Sequence, residues 1–160
     1  MVDHEHLAGY TSMKLLRSFT AGLAGAVALN ILHETVRHLR PADAPRMDLL
    51  GERGLRKLLA KADAPQPGDQ GAYALTMVGD VLSNGLYYTL VGSGKHSLRR
   101  GLLLGVAAGI GGVVLPGPMG LGEAPSNRTP QTQAMTVAWY TFGGVVAGAV
   151  AQALRKKAKR

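Results

Sequence analysis

The chain has 160 residues, 22 of them glycine and none cysteine. With Gly counted as apolar and Tyr as polar, about 57% is apolar and 18% is charged, against roughly 45–50% and 25% in soluble domains. This excludes a disordered chain, a disulfide scaffold and a cysteine-based zinc or iron–sulfur module, and it points to a membrane protein rich in small residues.

A net charge of +8 and a pI near 10.1 would suit a nucleic-acid binder. The placement of the charges argues otherwise, and no nucleic-acid partner is expected. Residues 18–32 carry no charge, and from Gln70 to Gly94 the only charge is Asp80. Residues 101–122 and 129–154 are uncharged throughout. A membrane-spanning helix needs about 20 mostly apolar residues. The sequence therefore predicts an all-α polytopic membrane protein with four transmembrane helices, over about 15–36, 72–92, 101–121 and 132–153. A soluble bundle would show a polar face along each helix, and the third and fourth segments have none. The mean hydropathy of only +0.07 reflects the polar stretch 39–71, the basic tail and the glycines. Lys14 and Arg17 before an apolar run also suit a secretory signal, but the run ends in His33 and Glu34 rather than at a small-residue cleavage site.

In chain order, the first segment ends in Asn30, His33, Glu34 and Arg37. These fall at i, i+3, i+4 and i+7 and form one stripe. Its earlier part carries small residues at Ala21, Gly22, Gly25 and Ala26. The loop 39–71 follows. Pro45 opens a predicted helix over 46–61, with Met47, Leu50, Leu55, Leu58 and Leu59 on one side and Glu52, Arg53, Arg56 and Lys57 on others. This reads as one interfacial amphipathic helix or as a helix packed on the loop side of the bundle. Residues 62–71 form a polar linker with two prolines.

The second segment has its own stripe: Thr76, Asp80, Asn84 and Tyr87. A charge at the depth of Asp80 costs about 2.5–3.5 kcal/mol on insertion scales, so it should face the bundle interior, be paired or be protonated. Asn30, His33, Glu34, Arg37, Asp80 and Asn84 form either an ion path or a structural polar network. In the third segment Gly101, Gly105 and Gly109 repeat every four residues, and Gly144 and Gly148 do so in the fourth. Such rows let helix backbones approach closely, within one chain or across a homo-oligomer. Pro116 and Pro118 end or bend the third helix, and the connection 116–130 is an exposed loop or a re-entrant one. The tail 154–160 is a polybasic cluster suited to anionic lipid headgroups.

Metal and enzyme motifs fail on spacing. His33 and His38 are five residues apart, about 140° around a helix, whereas the HExxH zinc motif needs four. His4, Glu5 and His6 read as a polar tail, and a haem or metal site with His33, Glu34 or His38 is the weakest alternative. Gly92-Ser93-Gly94-Lys95 lacks the phosphate-loop spacing, and no nucleophile elbow occurs. No catalytic residues, cofactor or metal are expected. Ten basic residues flank the segments on the side of both termini and eight on the other, which places both termini in the cytoplasm. The expected functions are a small oligomeric channel or transporter with an acidic path, or a non-transporting accessory or scaffold protein.

Two stretches resemble the YagU-like family of bacterial inner-membrane proteins. They are the exit of the first segment, where a small-residue helix leads to Glu34 and a Pro/Arg-rich turn, and GLLLGVAAGIGGVVLPGPMGLGEAP at 101–125. The resemblance implies a small helical bundle in an inner membrane. It implies no activity and no catalytic residues.

Overall fold

The computed structural model describes residues 4–158, with side chains described from Ser12 to Ala158. The described residues form helices and no strand. The elements are α1 (His4–Leu39), α2 (Met47–Lys61), α3 (Asp69–Tyr88) with a single 3-10 turn at Thr89–Val91, α4 (Ser97–Val114), the short α5 (Ala124–Asn127) and α6 (Pro130–Lys157). Three helices are long and apolar enough to cross a membrane: Ser12–Leu39 of α1, α4 and α6. At 36 residues α1 runs about 54 Å at 1.5 Å per residue, well beyond the roughly 30 Å hydrocarbon core.

Some element ends differ from the sequence expectation. α4 stops at Val114 rather than 121. Pro116 lacks an amide hydrogen and ends the ladder, and residues 115–123 fold into turns in which Gly120 and Gly122 take φ of +69° and +84°. Glycine alone adopts those angles without strain. α6 starts at Pro130, where the fixed proline φ suits the first helical position. Thr129 caps it by accepting the Thr132 amide at 3.1 Å. The basic residues Arg155, Lys156 and Lys157 form the last turn of α6, while Lys159 and Arg160 lie outside the described residues. α3 has 20 residues, but Thr76, Asp80, Ser83, Asn84 and its tyrosines keep it off the set of apolar helices.

The order around the bundle is α3–α1–α6–α4. Small residues set it. A Cβ on Gly109 would stand 2.5 Å from Val137 Cα, one on Gly105 2.6 Å from the Tyr140 carbonyl oxygen, and one on Gly148 2.7 Å from the Ser97 carbonyl oxygen. Gly101 and Gly144 abut backbone to backbone. All five glycines of the two rows thus lie in the α4–α6 contact within one chain. On the other side Gly25 meets Gly143 and Ala147 of α6, and Gly22 meets Gly85 and Thr89. α3 and α4 barely touch along their lengths.

α2 covers part of that gap on the side of the 40–46 and 115–129 connections. It forms a hairpin with α3: Gly51 abuts Thr76, and Arg56 donates to Asp69 Oδ1 at 2.9 Å and to the Pro67 carbonyl at 3.3 Å. α2 packs on the bundle with Asp48 and Leu50 buried.

The outer faces of α1, α3 and α4 are largely apolar. Leu16 and Ile31 on α1, Leu103 and Ile110 on α4, and Leu75, Val78, Leu82 and Leu86 on α3 are each at least half exposed. The α3 set follows i, i+3, i+7, i+11, one face of the helix.

The glycine contacts predict opposite outcomes for two substitutions. Gly109→Val meets backbone that cannot yield, and it should cost about 1–3 kcal/mol or more. Gly79→Ala has open space around its Cβ and should be neutral or gain up to about 1 kcal/mol from helix propensity. Thermal unfolding in detergent, followed by circular dichroism, checks both. Equal effects would contradict the packing described.

Candidate functional site

Asp80 sits near the middle of α3 and faces α1. Its Oδ2 accepts from Asn30 Nδ2 at 3.0 Å, and its Oδ1 accepts from Asn84 Nδ2 at 2.8 Å. The second bond follows from the i, i+4 spacing. The first crosses between helices. Asn30 also donates to the Ala26 carbonyl at 3.2 Å, which fixes its amide. Among the described residues no Lys, Arg or His stands within salt-bridge range of Asp80. The carboxyl group is held by neutral donors alone.

The rest of the α1 stripe does different work. Glu34 Oε2 pairs with Arg37 Nη2 at 2.5 Å, and the Arg37 guanidinium also reaches Asp48 Oδ2 at 3.7 Å and the Tyr73 hydroxyl at 3.3 Å. Asp48 is buried and is clamped by Arg46, whose Nε and Nη2 donate at 2.9 and 2.7 Å. Burial pushes the Asp48 carboxyl up, but the Arg46 hydrogen bonds and charge, its own backbone contact and Arg37 outweigh that and hold it below the usual carboxylate value. The four charges Glu34, Arg37, Arg46 and Asp48 thus close on one another. His33 is buried, 4.9 Å from the Trp139 ring and 6.0 Å from Tyr140 between centroids, and its Nε2 has no hydrogen-bond partner. His38 is exposed and its Nδ1 lies 2.7 Å from the Glu34 carbonyl oxygen. Among the described residues no three His, Asp or Glu side chains gather as a metal site would require. His4, Glu5 and His6 lie outside the described side chains.

Besides a hollow of about 230 Å³ between α2 and α3, lined by Gly51, Leu55, Thr76 and Gly79, two spaces meet at Asp80. One is a void of about 10 Å³ bounded by Asn30, His33, Glu34, Arg37 and Asp48, room for a single water molecule. The other is a cavity of about 620 Å³ in the gap between α3 and α4. Its α3 wall presents Asp80, Ser83, Asn84 and Tyr87, with Tyr140 of α6 behind. Towards the 93–96 connection it is closed by the Tyr87 hydroxyl, which donates to the Leu104 carbonyl at 3.0 Å and bridges α3 to α4. Beyond that level Tyr88 is fully buried and donates to the Tyr140 carbonyl at 2.7 Å. Gly22, Gly85 and Thr89 fill the space between α1 and α3 there. The polar interior therefore extends from Asp80 towards the α2 side only.

Of the six polar residues singled out in the sequence, the structure joins Asn30, Asp80 and Asn84 in one cluster and Glu34 with Arg37 in another, with His33 between them. Arg46, Asp48, Tyr73, Trp139 and Tyr140 were missed. Asp48 carried one weak signal, an acid beside Leu49 and Leu50 on the apolar side of an amphipathic helix.

Comparison with protein-family models, with curated proteins and with solved structures finds no match to this chain. The three apolar helices and the largely apolar outer faces of α1, α3 and α4 make the chain compatible with a membrane protein.

The Asp48 clamp has a pH signature. A carboxyl whose folded value is depressed contributes stability that is present above its ordinary value and is lost as pH falls through the lowered one. Asp48→Asn should be about 1–3 kcal/mol less stable at pH 7. It should also lose less stability than the wild type between about pH 5 and pH 2. Melting temperatures across that range measure both. Parallel acid limbs would contradict the clamp.

Proposed function

We propose that the chain is a four-helix carrier of a bacterial inner membrane, with both termini in the cytoplasm and Asp80 as the group that receives a proton or small cation. The observation that carries this reading is a partly buried carboxyl group between helices, held on both oxygens by amides and, among the described residues, in no salt bridge. An ionisable residue within a membrane is by default a functional-site hypothesis, and ion and proton routes are among the functions such residues mark. Three crossing helices are supported by length and composition. α3 joins them as the fourth because its outward row Leu75, Val78, Leu82 and Leu86 would otherwise face water. The absence of a through-passage favours a carrier over an open channel, since Tyr87 and the glycine contacts close the half towards the 93–96 connection. The resemblance to the YagU-like family supports the location alone, and no enzymatic role is proposed.

A second reading, a scaffold with structural polar residues, draws on the closed ion group Glu34, Arg37, Arg46 and Asp48. Those four residues are assigned a structural role in either case. The readings part at Asp80. Proton and potassium flux into proteoliposomes should fall at least tenfold in Asp80→Asn, with both proteins monodisperse in detergent. Lost stability with unchanged flux would favour the scaffold, and no flux in either protein would count against the carrier.

A further inference from the structure

The 620 Å³ cavity asks for an occupant larger than a proton. Its volume lies in the range of about 300–1,000 Å³ usual for small-molecule sites. On α4 its lining is made of the small residues Ala107, Ala108, Gly111 and Gly112. Gly111 is not spent on helix contact: around its Cβ the nearest atom is Leu115 of its own helix, at 3.4 Å, whereas a Cβ on Gly112 would meet Thr136 and Tyr140 of α6 at 3.3 and 3.4 Å. Met47 and Leu50 of α2 add apolar wall. Ser83 and Ala107, on opposite sides of the mouth, are exposed, so the cavity opens sideways between α3 and α4. Towards the α2 end it is covered by residues 115–121, which are tied to α2 by Arg53 donating to the Leu121 carbonyl at 2.7 Å and Lys57 to the Met119 carbonyl at 2.5 Å.

The charge pattern selects the class of ligand. Among the described residues Asp80 is the only charged one lining the cavity. Tyr87 and Tyr140 are among its lining residues, and aromatic faces attract cations. An anion would meet Asp80 with nothing to offset it. A lipid chain would leave Asp80 and Asn84 against hydrocarbon, which is costly. A small hydrated ion would leave the apolar walls unused. We infer that the cavity binds an organic cation with an apolar body, its positive centre beside Asp80 and its body against Ala107, Ala108 and Gly111, and that it enters between α3 and α4. This rests on the reading of Asp80 as the cation-receiving group and names the substrate class.

The test uses the full chain in phosphatidylcholine nanodiscs, with empty nanodiscs as the blank. The probes are tetraphenylphosphonium and tetraphenylborate, equal in shape and opposite in charge. Radiolabelled tetraphenylphosphonium should bind saturably at one site per chain, and tetraphenylborate at least tenfold more weakly. Asp80→Asn should weaken phosphonium binding at least tenfold. Ala107→Phe, which fills the mouth without touching the Asp80 amides, should weaken it comparably. If Asp80→Asn fails to fold, the ion pair of probes and Ala107→Phe still decide. Equal binding of the two probes, or binding that survives both substitutions, would overturn the inference. So would loss in Ala107→Phe with no effect of Asp80→Asn, since the cavity would then read shape without charge. Absence of saturable binding would overturn it too. Asp80-dependent proton flux without phosphonium binding would sink this inference alone, and phosphonium binding without any flux would sink the carrier reading alone.

Discussion

The close approach of α4 to α6 through glycine is the contact on which the rest of the bundle depends. In hydrocarbon, lipid tails offer helices the same apolar contact that other helices do, so association relies on tight van der Waals packing. Gly101, Gly105, Gly109, Gly144 and Gly148 supply it by letting backbone meet backbone. Gly25 with Gly143 adds α1 to the same face of α6. Three helices drawn together in this way leave α3 packed mainly on α1, joined to α4 and α6 only near its C-terminal end through Tyr87 and Tyr88, and a gap remains between α3 and α4. The cavity is the consequence of that arrangement.

The polar residues divide along the same line. Where helices meet closely, between α1 and α3 below Asp80, the interface is glycine and threonine. Where they diverge, Asn30, Asp80 and Asn84 face the gap and its neighbouring void. A buried ion pair is a weak source of stability because desolvation offsets much of the attraction. The Arg46–Asp48 clamp and the Glu34–Arg37 pair are therefore best understood as fixing where the 40–46 connection returns to the bundle. Ala44 is fully buried there, and the Asp43 carbonyl accepts from Thr132 Oγ1 at 3.1 Å. Asp80 instead takes amide donors from α1 and from its own helix.

Much of the fold was legible because it is governed by one-dimensional rules. Uncharged runs marked α1, α4 and α6, and Pro45 marked where α2 starts. The i, i+4 pair Asp80–Asn84 could be read directly from spacing. Asn30 could be placed on a stripe but not matched to Asp80, because 50 residues separate them and helix order decides the match. Asp48 was hidden for a related reason: its importance comes from the loop 40–46 folding back beside Arg37, and no local pattern encodes that return. The third segment was read seven residues too long because residues 115–121 stay uncharged, although Pro116 breaks the helix. The cavity itself had no sequence signal, since Ala107, Ala108, Gly111 and Gly112 look like any other small residues of a membrane helix.

The central claim is that α3 crosses the membrane and so carries Asp80 into its interior. The chain has no cysteine, so a single introduced thiol reports its own position. Ala62→Cys lies before α3, Lys95→Cys after it and Lys157→Cys at the end of α6, and all three sites are exposed. A membrane-impermeant maleimide applied to sealed vesicles of each orientation tests the claim directly. The account predicts that Lys95→Cys and Lys157→Cys react from one face and Ala62→Cys from the other. Labelling of Ala62→Cys and Lys95→Cys from the same face would contradict it and would leave Asp80 outside the membrane.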